Sequence, residues 1–448
     1  MTTLPLLPVR ALLTQARNRL PSGRVMRCLA LGVTQQGGSQ LIRFGGNLLL
    51  TRLLFPEVFG VMALANVFLV GLDMLSDVGI TQAIVSRRES PSPRFLQTAW
   101  TIQIIRGAAL LLGAGLLAPP LAAFYSQPDL LWLLPLLGGT RLLTGFRSMS
   151  FALADRELRV GGPTAITILS GLFGVSASVT AATFIPDARA LVVGAYVSAL
   201  FYTVVSFFLP HFRGHHLQLE PQAWREIGRF GRWILLSTMV TFLALQGDRL
   251  LLGRLLSPEA LGLYTLGYFF VQAFVQFVSV LGAKSLMPIY ARADDLAKAR
   301  LLRRGLCLAV FPVYLMLVEV GDRLIAGLYD PRYHQAGELL EIICLGLPPI
   351  VLRLVTAPWL LARGDARGRF TLSVAEASLV LGLSALGWWA SDLYGFLLGM
   401  VAAHFLLVPV TLFLVRTHAP RDLRFDSAYL AIAALFGARE FTVLFSNL

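Results

Sequence analysis

Residues 48–60 read Leu48-Leu-Leu-Thr-Arg-Leu-Leu-Phe-Pro-Glu-Val-Phe-Gly60, and residues 250–262 read Leu250-Leu-Leu-Gly-Arg-Leu-Leu-Ser-Pro-Glu-Ala-Leu-Gly262. Nine of the thirteen positions are identical at a constant offset of 202. Apolar runs match readily by chance, but an Arg-Leu-Leu-x-Pro-Glu-x-x-Gly turn recurring in phase does not. Each copy closes one long apolar stretch and opens the next, so the chain reads as two halves in tandem. A weaker echo lies further on, in Arg141-Leu-Leu-Thr144 and Arg353-Leu-Val-Thr356, with Pro135 and Pro348 upstream.

The surroundings of the repeat are as apolar as its flanks. Of 448 residues, 56% are hydrophobic and 14% charged, with mean hydropathy +0.70, against about 25% charged in ordinary globular chains. So little polar side chain cannot coat a soluble surface of this size. A bilayer core takes roughly 20 apolar residues to cross as a helix. Twelve stretches qualify, at 29–54, 58–85, 95–118, 130–153, 160–185, 189–210, 232–256, 260–288, 304–328, 338–361, 370–390 and 393–415. None shows the two-residue alternation of a barrel strand, so the predicted class is an all-α polytopic membrane protein. A thirteenth stretch, 428–446, is interrupted by Gly437, Arg439 and Glu440; it either spans or lies on a membrane face. Three cysteines supply neither a disulfide framework nor metal-ligand spacing. There is no phosphate-binding loop, dinucleotide fingerprint or nucleophile elbow. The chain reads as no enzyme, with no cofactor.

Net charge is +13, but the basic residues sit in short clusters between apolar runs, the punctuation of a membrane protein rather than a nucleic-acid binder. One alternate set of loops holds 26 Lys/Arg and the other 5. The positive-inside rule then puts the N-terminus and the 211–232 and 416–426 segments in the cytoplasm. The repeat offset equals six spans, an even number, so both halves insert with one orientation around a pseudo-two-fold axis along the membrane normal. The expected organisation is a basic arm (1–27), an N-lobe of spans 1–6 (28–212), a cytoplasmic linker (213–225), a C-lobe of spans 7–12 (226–424) and an extra segment (425–448). Two such lobes facing each other suit alternating access.

Charges deep in a membrane are costly, on the order of 2.5–3.5 kcal/mol each on insertion scales, and must face water or one another. Arg106 lies 12 residues beyond Arg94, or about 18 Å into its helix. Arg141 and Asp73 also fall near span centres; Arg43 and Arg353 lie somewhat off centre. Asp77 shares a helix face with Asp73. Four deep arginines (Arg43, Arg106, Arg141, Arg353) against two deep acids leave the seam net positive by two. They are the candidate cavity cations, with Asp73 and Asp77 the candidate carriers if transport is coupled to protons or sodium. Lys284, Asp248 and Glu319 are weaker candidates: Lys284 can snorkel to the surface, Asp248 neighbours Arg249, and Glu319 lies near an outer surface. His404 reads as a packing residue.

The repeated block, Arg52-Leu-Leu-Phe-Pro-Glu-Val-Phe-Gly60 followed by Ser76-Asp-Val-Gly-Ile-Thr-Gln-Ala-Ile-Val85, resembles the opening of Wzx-type polysaccharide flippases. Asp248-Arg-Leu-Leu-Leu-Gly-Arg254, Leu261-Gly-Leu-Tyr264 and Met287-Pro-Ile-Tyr-Ala-Arg292 add to that similarity, which covers residues 28–416. The resemblance is to the multidrug/oligosaccharidyl-lipid/polysaccharide exporter superfamily, and within it to the exopolysaccharide branch. It implies a MATE/MOP-like fold of two six-helix lobes about a central cavity. It also implies transfer of an undecaprenyl-diphosphate-linked oligosaccharide between leaflets, alongside polysaccharide polymerase and export components. A net-cationic seam suits a diphosphate, because arginine carries a permanent charge on a phosphate-matching fork. A drug/cation antiporter of the same fold would want an acidic cavity, and a polymerase a large outer loop. A non-transporting member of a synthesis complex is the further alternative.

Overall fold

The computed structural model describes residues 23–446 apart from positions 78, 88, 211, 213, 293–295 and 416–422. In chain order the helices are α1 (Gly23–Leu53), α2 (Pro56–Leu75), α3 (Ile80–Ser86), α4 (Pro93–Tyr125), α5 (Leu130–Gly145), α6 (Ser150–Arg156), α7 (Gly161–Phe184), α8 (Ala188–Ser206), α9 (Pro221–Leu255) and α10 (Pro258–Arg292). There follow α11 (Leu296–Leu328), α12 (Gln335–Cys344), α13 (Leu347–Thr356), α14 (Pro358–Ala362), α15 (Ala366–Leu414) and α16 (Leu423–Ser446). Among the described residues seven helices are long and apolar enough to cross a membrane, or eight if the pair bent by 50° around Leu345–Gly346 counts as one span.

The repeated Pro-Glu is a helix start. Pro56 occupies the first turn of α2, where its missing N–H costs nothing, and Glu57 sets a negative charge against the positive end of the helix dipole. In the second copy Pro258 begins α10, Glu259 takes the same place, and the Ser257 hydroxyl accepts from the Ala260 N–H.

The repeated glycine has a different task. A Cβ on Gly60 would lie 1.9 Å from the Pro258 carbonyl oxygen, and a Cβ on Gly262 2.0 Å from the Pro56 carbonyl oxygen. The two copies of the motif cross each other reciprocally, backbone on backbone, and only glycine permits that approach. Gly60→Ala and Gly262→Ala should each destabilise the folded chain by roughly 1–3 kcal/mol, as overpacking does. Gly45→Ala, at a site with open space around it, should leave the thermal unfolding midpoint in nanodiscs unchanged.

More contacts between the chain halves gather at this same end. The Tyr333 hydroxyl donates to the Leu54 carbonyl (2.8 Å), the Tyr125 hydroxyl to Leu250 (3.3 Å), and Arg332 to the Arg52 carbonyl (3.3 Å). The Phe59 and Tyr333 rings meet edge to face at 6.1 Å.

Each of the twelve expected spans falls on helix, but three of them are broken. The 58–85 stretch stops at Leu75 and resumes at Ile80, because Gly79 is left-handed (φ 68°) and its N–H is captured by the Asp77 carboxylate at 2.9 Å. The 130–153 stretch is interrupted between Gly145 and Ser150, and 338–361 bends beside Pro348 and Pro349, which donate no backbone hydrogen bond. Conversely, α15 holds two expected spans in 49 residues: non-helical Ser391 and Asp392 turn it into a hairpin, with Gly387 and Gly395 packed backbone to backbone.

The thirteenth stretch forms α16 and docks on the C-terminal half. Asp426 at its start pairs with Arg303 at 2.7 Å, the side chains 2% and 1% exposed. The Tyr314 hydroxyl donates to the Ala433 carbonyl.

The polar linker is strapped to the N-terminal half. Gln97 donates to the Gly214 carbonyl, and the Gln218 and Glu220 N–H groups donate to Thr101 and Thr98. His215 sits among Trp100, Phe207 and Phe212 with Nε2 3.0 Å from the Ser148 hydroxyl. Burial, then the neighbouring His216, lowers its pKa below the usual 6.5. A histidine so shifted holds fewer protons docked than free. Its contribution is therefore complete above about pH 6.5 and is lost as pH falls through the lower docked value. Linker protection in hydrogen exchange should fall on acidification below pH 6.5, and His215→Phe should remove that dependence.

Candidate substrate cavity

Small residues bring the charges together. A Cβ on Gly107 of α4 would lie 2.9 Å from the Arg141 carbonyl oxygen; one on Gly145 of α5 would lie 3.1 Å from the Gln103 carbonyl. The backbones of α4 and α5 therefore touch, as small-residue seams allow in membranes. Arg106 and Arg141 consequently converge on Asp73 of α2. Arg106 Nη2 reaches the Asp73 carbonyl oxygen at 2.7 Å and its carboxylate at 3.3 Å, while Nε donates to the Ser76 hydroxyl at 2.9 Å. Arg141 Nε lies 2.7 Å from the other Asp73 oxygen.

These side chains line a cavity of about 150 Å³ together with Gln103 and Arg147. Gln103 donates to the Gly145 and Arg147 carbonyls, satisfying acceptors left open where α5 ends. Arg147 also lines an adjoining cavity of about 170 Å³, where it donates to the Tyr202 hydroxyl at 2.9 Å. The first cavity thus presents three guanidinium groups against one carboxylate. Neither terminal nitrogen of Arg141 is bonded to protein among the described residues, and its side chain is 30% exposed. Such a fork accepts an anion without first breaking a bond.

The other sequence candidates lie elsewhere. Arg43, exposed and without an ion pair among the described residues, lines a separate cavity of about 370 Å³ between α1, α7 and α10. Asp77 holds the break after α2 through the Gly79 N–H and lies outside the arginine cavity's lining. Arg353 is 8% exposed on α13 and lines neither of these cavities; it pairs with Glu376 of α15 and donates to His404 Nδ1 at 3.1 Å. The count of four arginines against two acids therefore needs correcting: Glu376, the only charge between Phe370 and Ala390, neutralises Arg353. Asp248 is buried and accepts from the Tyr264 hydroxyl, while its neighbour Arg249 donates to Gln246. Glu319 is exposed on α11, and the Lys284 side chain lies outside the described residues. Arg147 is not among the sequence candidates, because it falls towards the cytoplasmic end of the expected 130–153 span. The signal that would have found it is the Gly145-Phe-Arg147 break inside an expected span.

Comparison with known proteins follows the same lines. The family described as polysaccharide biosynthesis protein matches residues 49–337. The chain is 25% identical over 353 residues to the teichuronic acid biosynthesis protein TuaB of Bacillus subtilis, covering 76% of this chain and 70% of that one. It is also 25% identical over 373 residues to the lipopolysaccharide biosynthesis protein WzxC of Escherichia coli, covering 81% and 73%. Among solved structures it is similar to the lipid II flippase MurJ in an inward closed conformation. That likeness has a TM-score of 0.67 at 11% identity and covers 92% and 93% of the two chains.

Proposed function

Because this chain belongs to the polysaccharide biosynthesis protein family, we propose that it is a flippase that carries a polyprenyl-diphosphate-linked oligosaccharide from the cytoplasmic to the outer leaflet. The observation that carries the reading is the Arg106–Arg141–Arg147 cavity with Asp73 in its wall. A diphosphate brings more negative charge than the single carboxylate that the arginines already face. The anion would bind by charge-assisted, bidentate hydrogen bonds, and its head group would leave water only for a cationic, polar lining. Asp73 holds two guanidinium groups ready, so little rotamer freedom is left to lose on binding.

The two chain halves would act as lobes rocking about the bound head group. The reciprocal Gly60–Gly262 crossing and the tyrosine contacts close one end of the seam. With the basic loops cytoplasmic, that closed end would face outward. A single cysteine at the exposed Ser126 should be labelled only from outside, and one at the exposed His216 only from the cytoplasm of inner-membrane vesicles; the opposite pattern would invert the account. Any proton or sodium coupling would run through Asp73, the carboxylate that touches both arginines.

The function is tested in cells by depleting the protein and assaying lipid-linked oligosaccharide by leaflet. Accumulation in the cytoplasmic leaflet is expected. Unchanged distribution, with polymer synthesis lost, would instead mark a non-transporting component.

A further inference from the structure

The larger cavity is chemically unlike the arginine one. Five of its lining residues are glutamines: Gln35, Gln36 and Gln40 on α1, and Gln272 and Gln276 on α10. Arg43 is the only charge among the described residues of that lining, and Ser39 and Thr167 add hydroxyls. Gln36, Gln40 and Arg43 follow helical spacing on α1, and Gln272 and Gln276 are one turn apart on α10, so two amide stripes face each other across the halves of the chain. Gln272 and Gln276 lie 10 and 14 residues beyond the Gly262 crossing, or about 15 and 21 Å along α10, well away from the closed end.

Amide side chains at this depth of a membrane protein need partners. Gln35 accepts from the Thr164 hydroxyl at 3.2 Å. The amides of Gln36, Gln40, Gln272 and Gln276 line the cavity and make no hydrogen bond to protein among the described residues. Each amide offers a donor and an acceptor side by side, and adjacent hydroxyls of a sugar ring offer the same pair. With one cation against the other cavity's three, this compartment is a poor rival for a diphosphate. Its volume of about 370 Å³ falls within the range of small-ligand sites, roughly 300–1,000 Å³.

Building on the flippase reading above, we propose that this amide-lined compartment between α1 and α10 binds uncharged sugar residues of the lipid-linked oligosaccharide, while the arginine cavity holds the diphosphate. Because its two stripes belong to different halves, separating them on the cytoplasmic side breaks the sugar site, and bringing them together restores it. Sugar recognition is thereby tied to the conformation, and the diphosphate site, built within one half, is not.

The test uses the full chain in nanodiscs and two probes, a heptaprenyl diphosphate and the same lipid bearing a neutral hexose disaccharide. The wild-type chain should bind the glycosylated lipid about tenfold more tightly than the bare one. The pairs Gln272→Ala/Gln276→Ala and Gln36→Ala/Gln40→Ala, at unchanged unfolding temperature, should each abolish that preference and keep wild-type affinity for the bare diphosphate. If an alanine pair does not fold, the corresponding asparagine pair should reduce the preference. The proposal is overturned if the wild type does not discriminate between the probes, if the variants keep the preference, or if they lose affinity for both lipids equally. A wild-type chain that binds neither lipid overturns the flippase reading with it, a result distinct from loss of the sugar preference alone.

Discussion

Arg141→Gln should reach the membrane at wild-type abundance and lose at least nine-tenths of its export of lipid-linked oligosaccharide. Arg141 reaches Asp73 through Nε, and neither terminal nitrogen is hydrogen-bonded to protein among the described residues. Removing it leaves Asp73 with Arg106, which holds it through carboxylate and carbonyl together, so no carboxylate is stranded. The variant should therefore fold, since a neutral polar residue inserts more easily than arginine. What disappears is one of three cations that meet the anion. A charge-assisted hydrogen bond is worth about 1.5–3 kcal/mol, or roughly a ten- to hundredfold change in binding. Arg141→Lys should restore a fraction, keeping the charge and losing the fork. Export by immunoblot-normalised cells checks the result, and full export by Arg106→Gln/Arg141→Gln would make these residues packing elements.

Arg353→Gln should behave quite differently, although Arg353 and Arg141 occupy echoing positions in the two halves. Arg353 is buried, paired with Glu376 and bonded to His404, so its removal strands a carboxylate inside the bundle. Breaking a buried pair from one side costs about 3–5 kcal/mol. The variant should be poorly expressed, and its purified form should unfold at a markedly lower temperature. Glu376→Gln added to it removes the stranded charge and should restore much of the stability. A double variant that is stable and exports normally would make the Arg353–Glu376 pair a device of packing; one that is stable and inactive would give the pair a part in transport. Thermal unfolding and export measured on the same preparations separate the two.

The repeat was the most legible feature of the chain. Pro-Glu at a helix start and glycine at a backbone crossing are needs of the local geometry, and a duplicated geometry keeps them twice. Depth along a span identified Asp73, Arg106 and Arg141, because distance from the flanking charges is a property of sequence. Partner choice was less legible. Arg141 and Arg353 look alike in their own helices, and what separates them is the helix packed opposite: α2 with Asp73 in one case, α15 with Glu376 in the other. The breaks that expose Arg147 and bend the segment carrying Arg353 were hidden for another reason. Apolar residues resume directly after each break, and only Gly145, Pro348 and Pro349 mark where helical hydrogen bonding stops. The glutamines on α1 and α10 were less legible because depth was read from formal charge, and an uncharged amide needs no counter-charge to betray it.

Transport by the purified chain alone is the claim on which the account stands. In proteoliposomes carrying a polyprenyl-diphosphate oligosaccharide initially in both leaflets, a membrane-impermeant glycosidase should digest about half of the lipid without the protein and nearly all of it with wild-type protein. Arg106→Gln/Arg141→Gln at matched density should digest no more than empty vesicles. Complete digestion with the arginine variant, or only half with the wild type, would contradict a flippase working through this cavity.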